Sequence, residues 1–199
     1  TPFRLVGAIF TGTTLDPNFW TASTGTGGSA TVGGAQIILT TGTTANNSVT
    51  LQSVKNARYT GGSANRFRTI LRLPDTGTAN NTRRWGAFNT TDGAFFELSG
   101  TTFKIVTRKA SSDIPVSNGS FNGKLGATIT LDTNVKTYEI YWNNSKVYFI
   151  YNGEILHTVS ANTVTWTSDL ALPIRAENTN SGGSTTDVGL NIRVMTIAR

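Results

Sequence analysis

Cysteine is absent from the chain, which excludes a disulfide framework and a cysteine-ligated metal site. Charged side chains are scarce, at 14% of the 199 residues against about 25% in an average soluble domain. No apolar run reaches the roughly 18 residues that a membrane-spanning helix requires. These absences exclude a small disulfide-rich domain and predict a protein with no segment inserted in a membrane.

Polarity comes instead from threonine, serine, asparagine and glycine, residues that suit strands and tight turns. The net charge of +6 would suit a nucleic-acid ligand. The densest arginine cluster, however, alternates along predicted strands and forms no single basic run. Its members are Arg66, Arg68, Arg72, Arg83 and Arg84. We therefore predict no nucleic-acid partner.

Apolar residues recur at every second position along most of the chain, which is the pattern of half-buried strands. The predicted strands include Phe3–Phe10, Ala127–Thr130 and Leu170–Glu177, and no amphipathic helix is visible. Many short strands joined by turns predict an all-β fold, an antiparallel two-sheet β-sandwich of the jelly-roll type. No linker interrupts the pattern, so we predict a single domain over residues 1–199.

Turn residues predict how the strands are joined. Asn152-Gly153, between "KVYFIY" and "EILHTV", is typical of a type I′ hairpin, whose two central residues need positive φ. It places a three-stranded meander over Lys136–Val159. Asp92-Gly93 and Ser99-Gly100 bracket "AFFEL" in a similar way, which predicts a second meander over Arg84–Lys109.

Three segments resemble the concanavalin A-like lectin/glucanase superfamily. "KTYEIYWNNSKVYFIYNGEILHTVS" is similar to a hairpin of that superfamily, with Tyr138, Ile140 and Trp142 facing inward. "GTTLDPNFW" and "LNIRVMTI" resemble its entry segment and its closing strand. The resemblance implies a concanavalin A-like jelly roll. In the entry segment we expect Leu15 and Trp20 to seal one end of the sandwich.

The threonine- and asparagine-rich segments "DTGTANNTRRWGAF", "DGAFFELSGTTF" and "LPIRAENTNSGGST" also look similar to lectin-like modules of bacteriophage virion proteins. That resemblance implies a non-enzymatic structural or adhesive protein, as a decoration, tail or fibre component. It further implies a virion or extracellular location, with other virion proteins or further copies of the chain as partners.

Catalytic residues of the superfamily's hydrolases lie on one strand that reads Glu-x-Asp-x-x-Glu, and retaining hydrolysis needs two carboxyl groups about 5–5.5 Å apart. No such segment occurs, and all 11 acidic residues are isolated in the sequence. The corresponding strand resembles "RRWGAF", which carries no acid. The sequence therefore predicts that the chain is not an enzyme and has no catalytic residues.

Other chemistry has little support in the sequence. The only histidine, His157, lies on a predicted strand without a nucleophile motif, and we interpret it as a packed or surface residue. We predict no cofactor and no metal ligands. Calcium, which favours several oxygen ligands, is retained as an alternative through Asp16 or Asp187.

A ligand patch is predicted around Trp85, which follows two arginines and precedes a glycine. An exposed tryptophan would stack on a sugar ring, whereas Trp20 and Trp142 are interpreted as core residues and Trp166 is left unassigned. The predicted ligand residues are Arg83, Arg84, Trp85, Asn89, Asp92, Arg175, Glu177 and Asn178.

Tyr141, Tyr148 and Ile150 lie on the strand face opposite the predicted core. Because strands that are apolar on both faces are usually covered on both, we predict an interface there. Three functions remain in order: a non-enzymatic virion protein, a carbohydrate-binding module for cell-surface or polymeric glycans, and a glycoside hydrolase.

Overall fold

A computed structural model describes residues 3–60, 62–160, 170–182 and 186–199. Trp166 lies outside these residues. No helix that could cross a membrane occurs among them. The strands are β1 (Arg4–Ile9), β2 (Trp20–Thr24), β3 (Ser29–Gly33), β4 (Gln36–Thr40), β5 (Ser48–Ser53), β6 (Ala57–Arg58), β7 (Asn65–Arg72), β8 (Asn81–Phe88), β9 (Gly93–Ser99), β10 (Thr102–Lys109), β11 (Ser112–Ser117), β12 (Val135–Trp142), β13 (Lys146–Tyr151), β14 (Glu154–Ser160), β15 (Ala171–Leu172), β16 (Ile174–Asn180) and β17 (Gly189–Ala198).

Two large antiparallel sheets form the sandwich that the sequence predicts. One has eight strands, in the order β14-β13-β12-β7-β17-β4-β3, with β1 also pairing with β17. The other has seven strands, in the order β11-β10-β9-β8-β16-β5-β2. A small third sheet joins β15 to β6. The all-β fold class is confirmed.

The core lies between the two sheets because alternate residues of each strand point inward. The inward positions predicted for β12 are confirmed, since Tyr138, Ile140 and Trp142 are each at most 1% exposed. Trp20 is also buried, with its ring centroid 5.2 Å from that of Phe10. Leu15 is partly buried against the same core, and the expectation that it and Trp20 seal one end of the sandwich stays a prediction.

Turn chemistry also agrees with the sequence at the central hairpin. Asn152 and Gly153 have φ values of 52° and 88°, and Tyr151 pairs with Glu154 across them. The predicted strand over Ala127–Thr130 is wrong, because this segment is bonded irregularly to the loop before it. In that loop, Asn118 donates to the Ile129 carbonyl and accepts from the Ile129 amide.

Candidate functional site

A row of charged side chains, here called the charged ladder, crosses the outer face of the seven-stranded sheet. It consists of Glu97, Arg84 and Glu177. Strand β8 lies between β9 and β16, and register places Arg84 opposite Glu97 on one side and opposite Glu177 on the other. Inward neighbours such as Trp85 point to the core, so strand alternation sends these three side chains outward. Two glutamates 80 positions apart in the sequence thus face each other across one arginine.

Ion pairs fix both glutamates. Arg84 Nε donates to Glu97 Oε2 at 2.8 Å, and Arg84 Nη1 lies 3.5 Å from Glu177 Oε2. A second cation holds each carboxylate from the far side: Lys104 is 3.3 Å from Glu97, and Arg175 is 2.6 Å from Glu177. The glutamate side chains are only 8% and 16% exposed. Such semi-enclosed charges keep a fixed geometry because each has partners on two sides.

The register of β9, β8 and β16 sets the spacing of the two glutamates. Glu97 and Glu177 stand opposite Arg84 on the two strands that flank β8, so their Cα atoms are about two strand spacings, roughly 10 Å, apart. Side chains that leave a sheet two strand spacings apart fit the roughly 6.5–9.5 Å separation of inverting glycosidases better than the 5–5.5 Å of a retaining pair. The pair therefore has the spacing for acid–base chemistry with a water molecule, provided that Arg84 moves aside.

An apolar cluster adjoins the ladder on the same face. Phe88, Phe95 and Val106 are buried there, apart from the main core. Arg108 covers them, with its guanidinium carbon 5.0 Å from the Phe95 ring centroid. Its bonds to Asp113 lower the pKa of that carboxyl below the ordinary value. This part of the face therefore consists of tightly packed apolar side chains with the guanidinium group of Arg108 lying over them.

An open groove continues from Glu177 toward the edge strand β2. Its volume is about 440 Å³, and its polar lining comes from Thr21, Ser23, Thr50, Gln52 and Arg175. Gln52 accepts a bond from Arg175 at 2.7 Å. Hydroxyl and amide groups of this kind bond to the hydroxyl groups of a polar ligand.

The predicted ligand patch divides between the two faces of the sheet. Arg84, Arg175 and Glu177 lie together on the outer face, as described. Trp85 is wholly buried between the sheets, with its ring centroid 5.1 Å from that of Tyr138, so the prediction that it stacks on a sugar is wrong. The reason is strand phase, because Trp85 alternates with the outward Arg84.

Arg83 and Asn178 are also core residues and cannot contact a surface ligand. Arg83 is fully buried and donates to Asp75 Oδ2 at 2.9 Å and to the Gly189 carbonyl at 3.1 Å. Burial of Asp75 raises the pKa of its carboxyl, but the bonds from Arg83 outweigh this and the pKa is lowered. Asn178 bonds to the carbonyls of Leu39 and Val188. Both side chains tie the two sheets together.

Asn89 and Asp92 shape the turn between β8 and β9. Asn89 Oδ1 accepts bonds from the amides of Thr91 and Asp92, both at 2.8 Å. This side-chain bonding is typical of a turn residue and leaves Asn89 at the end of the face rather than beside the ladder. The structure therefore does not place these two residues with Arg84.

Glu97 is the functional candidate that the sequence analysis missed. It lies in "AFFELSG", a segment interpreted only as a strand. Its partner Glu177 is among the predicted ligand residues through the segment "IRAEN". The pairing of β8 with both β9 and β16 cannot be read from the local sequence pattern. A signal was available, since Glu97 stands in an otherwise apolar strand where an unpaired charge would be costly.

The remaining predicted residues lie elsewhere. Tyr141 and Tyr148 pair on the outer face of the eight-stranded sheet with ring centroids 5.8 Å apart, and Ile150 follows on the same face. The predicted interface there stays a prediction. His157 is buried, and its Nδ1 accepts from the Asn122 amide at 3.2 Å.

The two calcium candidates do not come together with other acids. Asp16 Oδ1 accepts from the Asn18 amide, and Asp187 Oδ1 accepts from the Gly42 amide. Within the described ranges, no group of three or more metal-ligating side chains occurs. The structure thus gives no support to a calcium site.

Comparisons with known proteins establish the fold. No family model and no curated protein matches the sequence. A β-1,3-glucanase from Mycobacterium marinum is 12% identical, with a TM-score of 0.72 and 98% of each chain covered. The catalytic domain of an endo-1,3-β-glucanase from Thermotoga petrophila is 11% identical, with a TM-score of 0.71, over 100% of this chain and 98% of that domain. The carbohydrate recognition domain of Emp46p is 11% identical, with a TM-score of 0.60, over 89% and 87%.

The concanavalin A-like fold expected from the resemblance is therefore shown. The predictions of a non-enzymatic virion protein and of no enzymatic activity are wrong, because the similar structures are mostly β-glucanases. None of those structures is a phage protein. The likeness to phage modules was based on threonine- and asparagine-rich composition and short motifs.

Proposed function

We propose that the chain is a glycoside hydrolase that cleaves a β-glucan on the outer face of the seven-stranded sheet. The observation that carries the proposal is the pair Glu97 and Glu177, held on that face with the spacing of an acid–base pair. Support for the substrate class comes from the β-glucanases that share the fold over nearly the whole chain.

The two glutamates have different surroundings, which suggests their roles. Glu177 borders the groove lined by Thr50 and Arg175, where water has access, so we assign it as the base that activates water. Glu97 is the more enclosed of the two, and we assign it as the acid that protonates the leaving oxygen. Because water must fit between them, the reaction inverts the anomeric configuration.

Arg84 must leave its position for this reaction. Its guanidinium stands between the carboxyl groups in the free protein and would block a glycosidic oxygen there. The side chain is 29% exposed, which gives it room to swing outward as a sugar enters. Its movement would open the space between the two carboxyl groups to the substrate and would couple catalysis to substrate binding.

The test is reducing-sugar release from laminarin and a panel of other β-glucans. We expect hydrolysis by the wild type and a loss of about 100-fold or more in Glu97→Gln and in Glu177→Gln, as is typical when a general acid or base is removed. Glu154→Gln is the matched control, because Glu154 on β14 has a side chain that is 46% exposed and pairs only with Lys124 among the described residues. It should keep full activity.

Two outcomes would overturn the proposal. One is a wild type that binds glucans and releases no sugar from any of them. The other is activity that survives in both glutamine variants while thermal unfolding shows them to be folded. If a variant does not fold, Glu97→Asp, which keeps the charge and shortens the side chain, replaces it.

A further inference from the structure

Strand β1 has an unpaired edge on the eight-stranded sheet. It pairs with the second half of β17, and no other described strand bonds to its outer side. An unpaired edge offers a row of backbone N–H and C=O groups to an added strand. This edge is remote in sequence from the Glu97 and Glu177 pair and lies on the other sheet.

Two cavities lie along this edge and adjoin each other. Their volumes are about 180 and 230 Å³, and Arg4 and Phe19 line both of them. The first also borders Val6 and Gly7 of β1, and the second borders Ile9 at its end. The edge of β1 is thus one wall of a continuous groove with a separate depression on each side of Phe19.

Large apolar side chains surround the groove with unusual exposure. Ile9, which is 62% exposed, and Phe19, which is 41% exposed, both line it. The backbone at Phe19 is held by the Val54 amide, which donates to the Phe19 carbonyl at 2.9 Å, while the Val54 side chain lines the neighbouring groove beside Arg175. Clustered exposed apolar groups of this kind mark interaction sites.

The charge of the groove favours an acidic partner over a second copy of the chain. Arg4 and Lys55 line it, and neither side chain has an acidic partner among the described residues. The one acidic residue that lines it, Asp16, bonds to Asn18. A second copy of the chain would bring the same cations face to face, which costs energy, whereas an acidic partner would neutralise them.

We propose that this groove binds an extended acidic peptide of another protein, which adds a strand to β1. Backbone bonds to β1 would supply affinity, and alternate side chains of the peptide would reach opposite sides. An apolar side chain would pack against Phe19, and acidic side chains would pair with Arg4 and Lys55.

Fluorescence anisotropy with a labelled peptide, Glu-Val-Glu-Phe-Glu-Val-Glu, tests the proposal at low ionic strength. We expect saturable binding, at least tenfold tighter than binding of the peptide with lysine in place of each glutamate. Lys55→Glu should weaken binding about tenfold, and Phe19→Ala should weaken it as well. Lys146→Glu, at an exposed lysine on β13, makes the same change of charge elsewhere and should stay within twofold of the wild type.

Three results would overturn the proposal: no binding of the acidic peptide, equal binding of the acidic and lysine peptides, or equal binding to Lys55→Glu and the wild type. Sedimentation velocity tests whether a second copy of the chain occupies the groove instead. A dimer that Phe19→Ala dissociates and that excludes the peptide would show that a second copy fills the groove.

Discussion

At the scale of single residues, strand phase decides which side chains meet solvent. Arg84 and Trp85 are adjacent in the sequence, yet one lies in the charged ladder and the other in the core. The rings of Phe96, Phe103 and Tyr138 surround Trp85, with centroids 5.1–6.4 Å away. Its contribution is therefore to stability.

We predict that Trp85→Ala lowers the free energy of unfolding by about 3–5 kcal/mol, the usual cost of a large cavity in a core. Urea denaturation measures this directly. Tyr148→Ala, at a half-buried outer position, is the control and should cost less. An effect of Trp85→Ala below about 1 kcal/mol would contradict the core assignment.

His157 predicts how stability depends on pH. Burial lowers the pKa of its imidazole, and its Nδ1 can accept the Asn122 amide bond only while it is neutral. The folded pKa lies below the unfolded value of about 6.5, so its stabilising contribution is complete above that pH and is lost as the pH falls toward the folded pKa.

Denaturation of the wild type from pH 8 to pH 5 should thus show falling stability below about pH 6.5. His157→Gln should flatten the curve in this range, since the chain has no other histidine. The same slope in both proteins would show that another group is responsible.

At the scale of elements, the segment from Phe121 to Gly126 covers the edge strand β14. The Gly123 amide donates to the Leu156 carbonyl at 3.0 Å, and Asn122 bonds to both the amide and the carbonyl of Thr158. Covering an edge in this way prevents pairing with other chains. Gly123 permits the close approach, because a Cβ there would collide with the backbone of Ile155 and Leu156.

Gly123→Ala should therefore destabilise the protein by about 1–3 kcal/mol, the usual cost of overpacking, and should speed amide exchange at Gly123. Thermal unfolding and hydrogen exchange measure the two effects. Gly33→Ala, on β3 with open space around it, is the matched control and should be nearly neutral. Equal behaviour of the two variants would contradict the close packing.

The sequence predicted the elements better than their partners. Alternation and the Asn152-Gly153 turn predicted the meander over β12 to β14 because those signals are local. The predicted strand Leu170–Glu177 was broken into β15 and β16, with Pro173 between them. The pairing of β8 with β16 could not be predicted, because the two strands are far apart in the sequence and no local pattern indicates that they are neighbours.

At the scale of the whole molecule, the same long-range pairing creates the candidate site. Glu97 and Glu177 look isolated along the chain, and only the insertion of β8 between β9 and β16 brings them to either side of Arg84. The sequence argument against an enzyme assumed that paired acids must share one strand. A sheet can pair acids equally well across strands.

The most direct test of the account is proton NMR of laminarin during digestion by the wild-type protein. We predict new reducing ends that appear first as the α-anomer. The spacing of Glu97 and Glu177 leaves room for a water molecule, whose attack on a β-linked sugar inverts the anomeric configuration. Absence of new reducing ends, or initial release of the β-anomer, would contradict the claim that these two glutamates form an inverting pair.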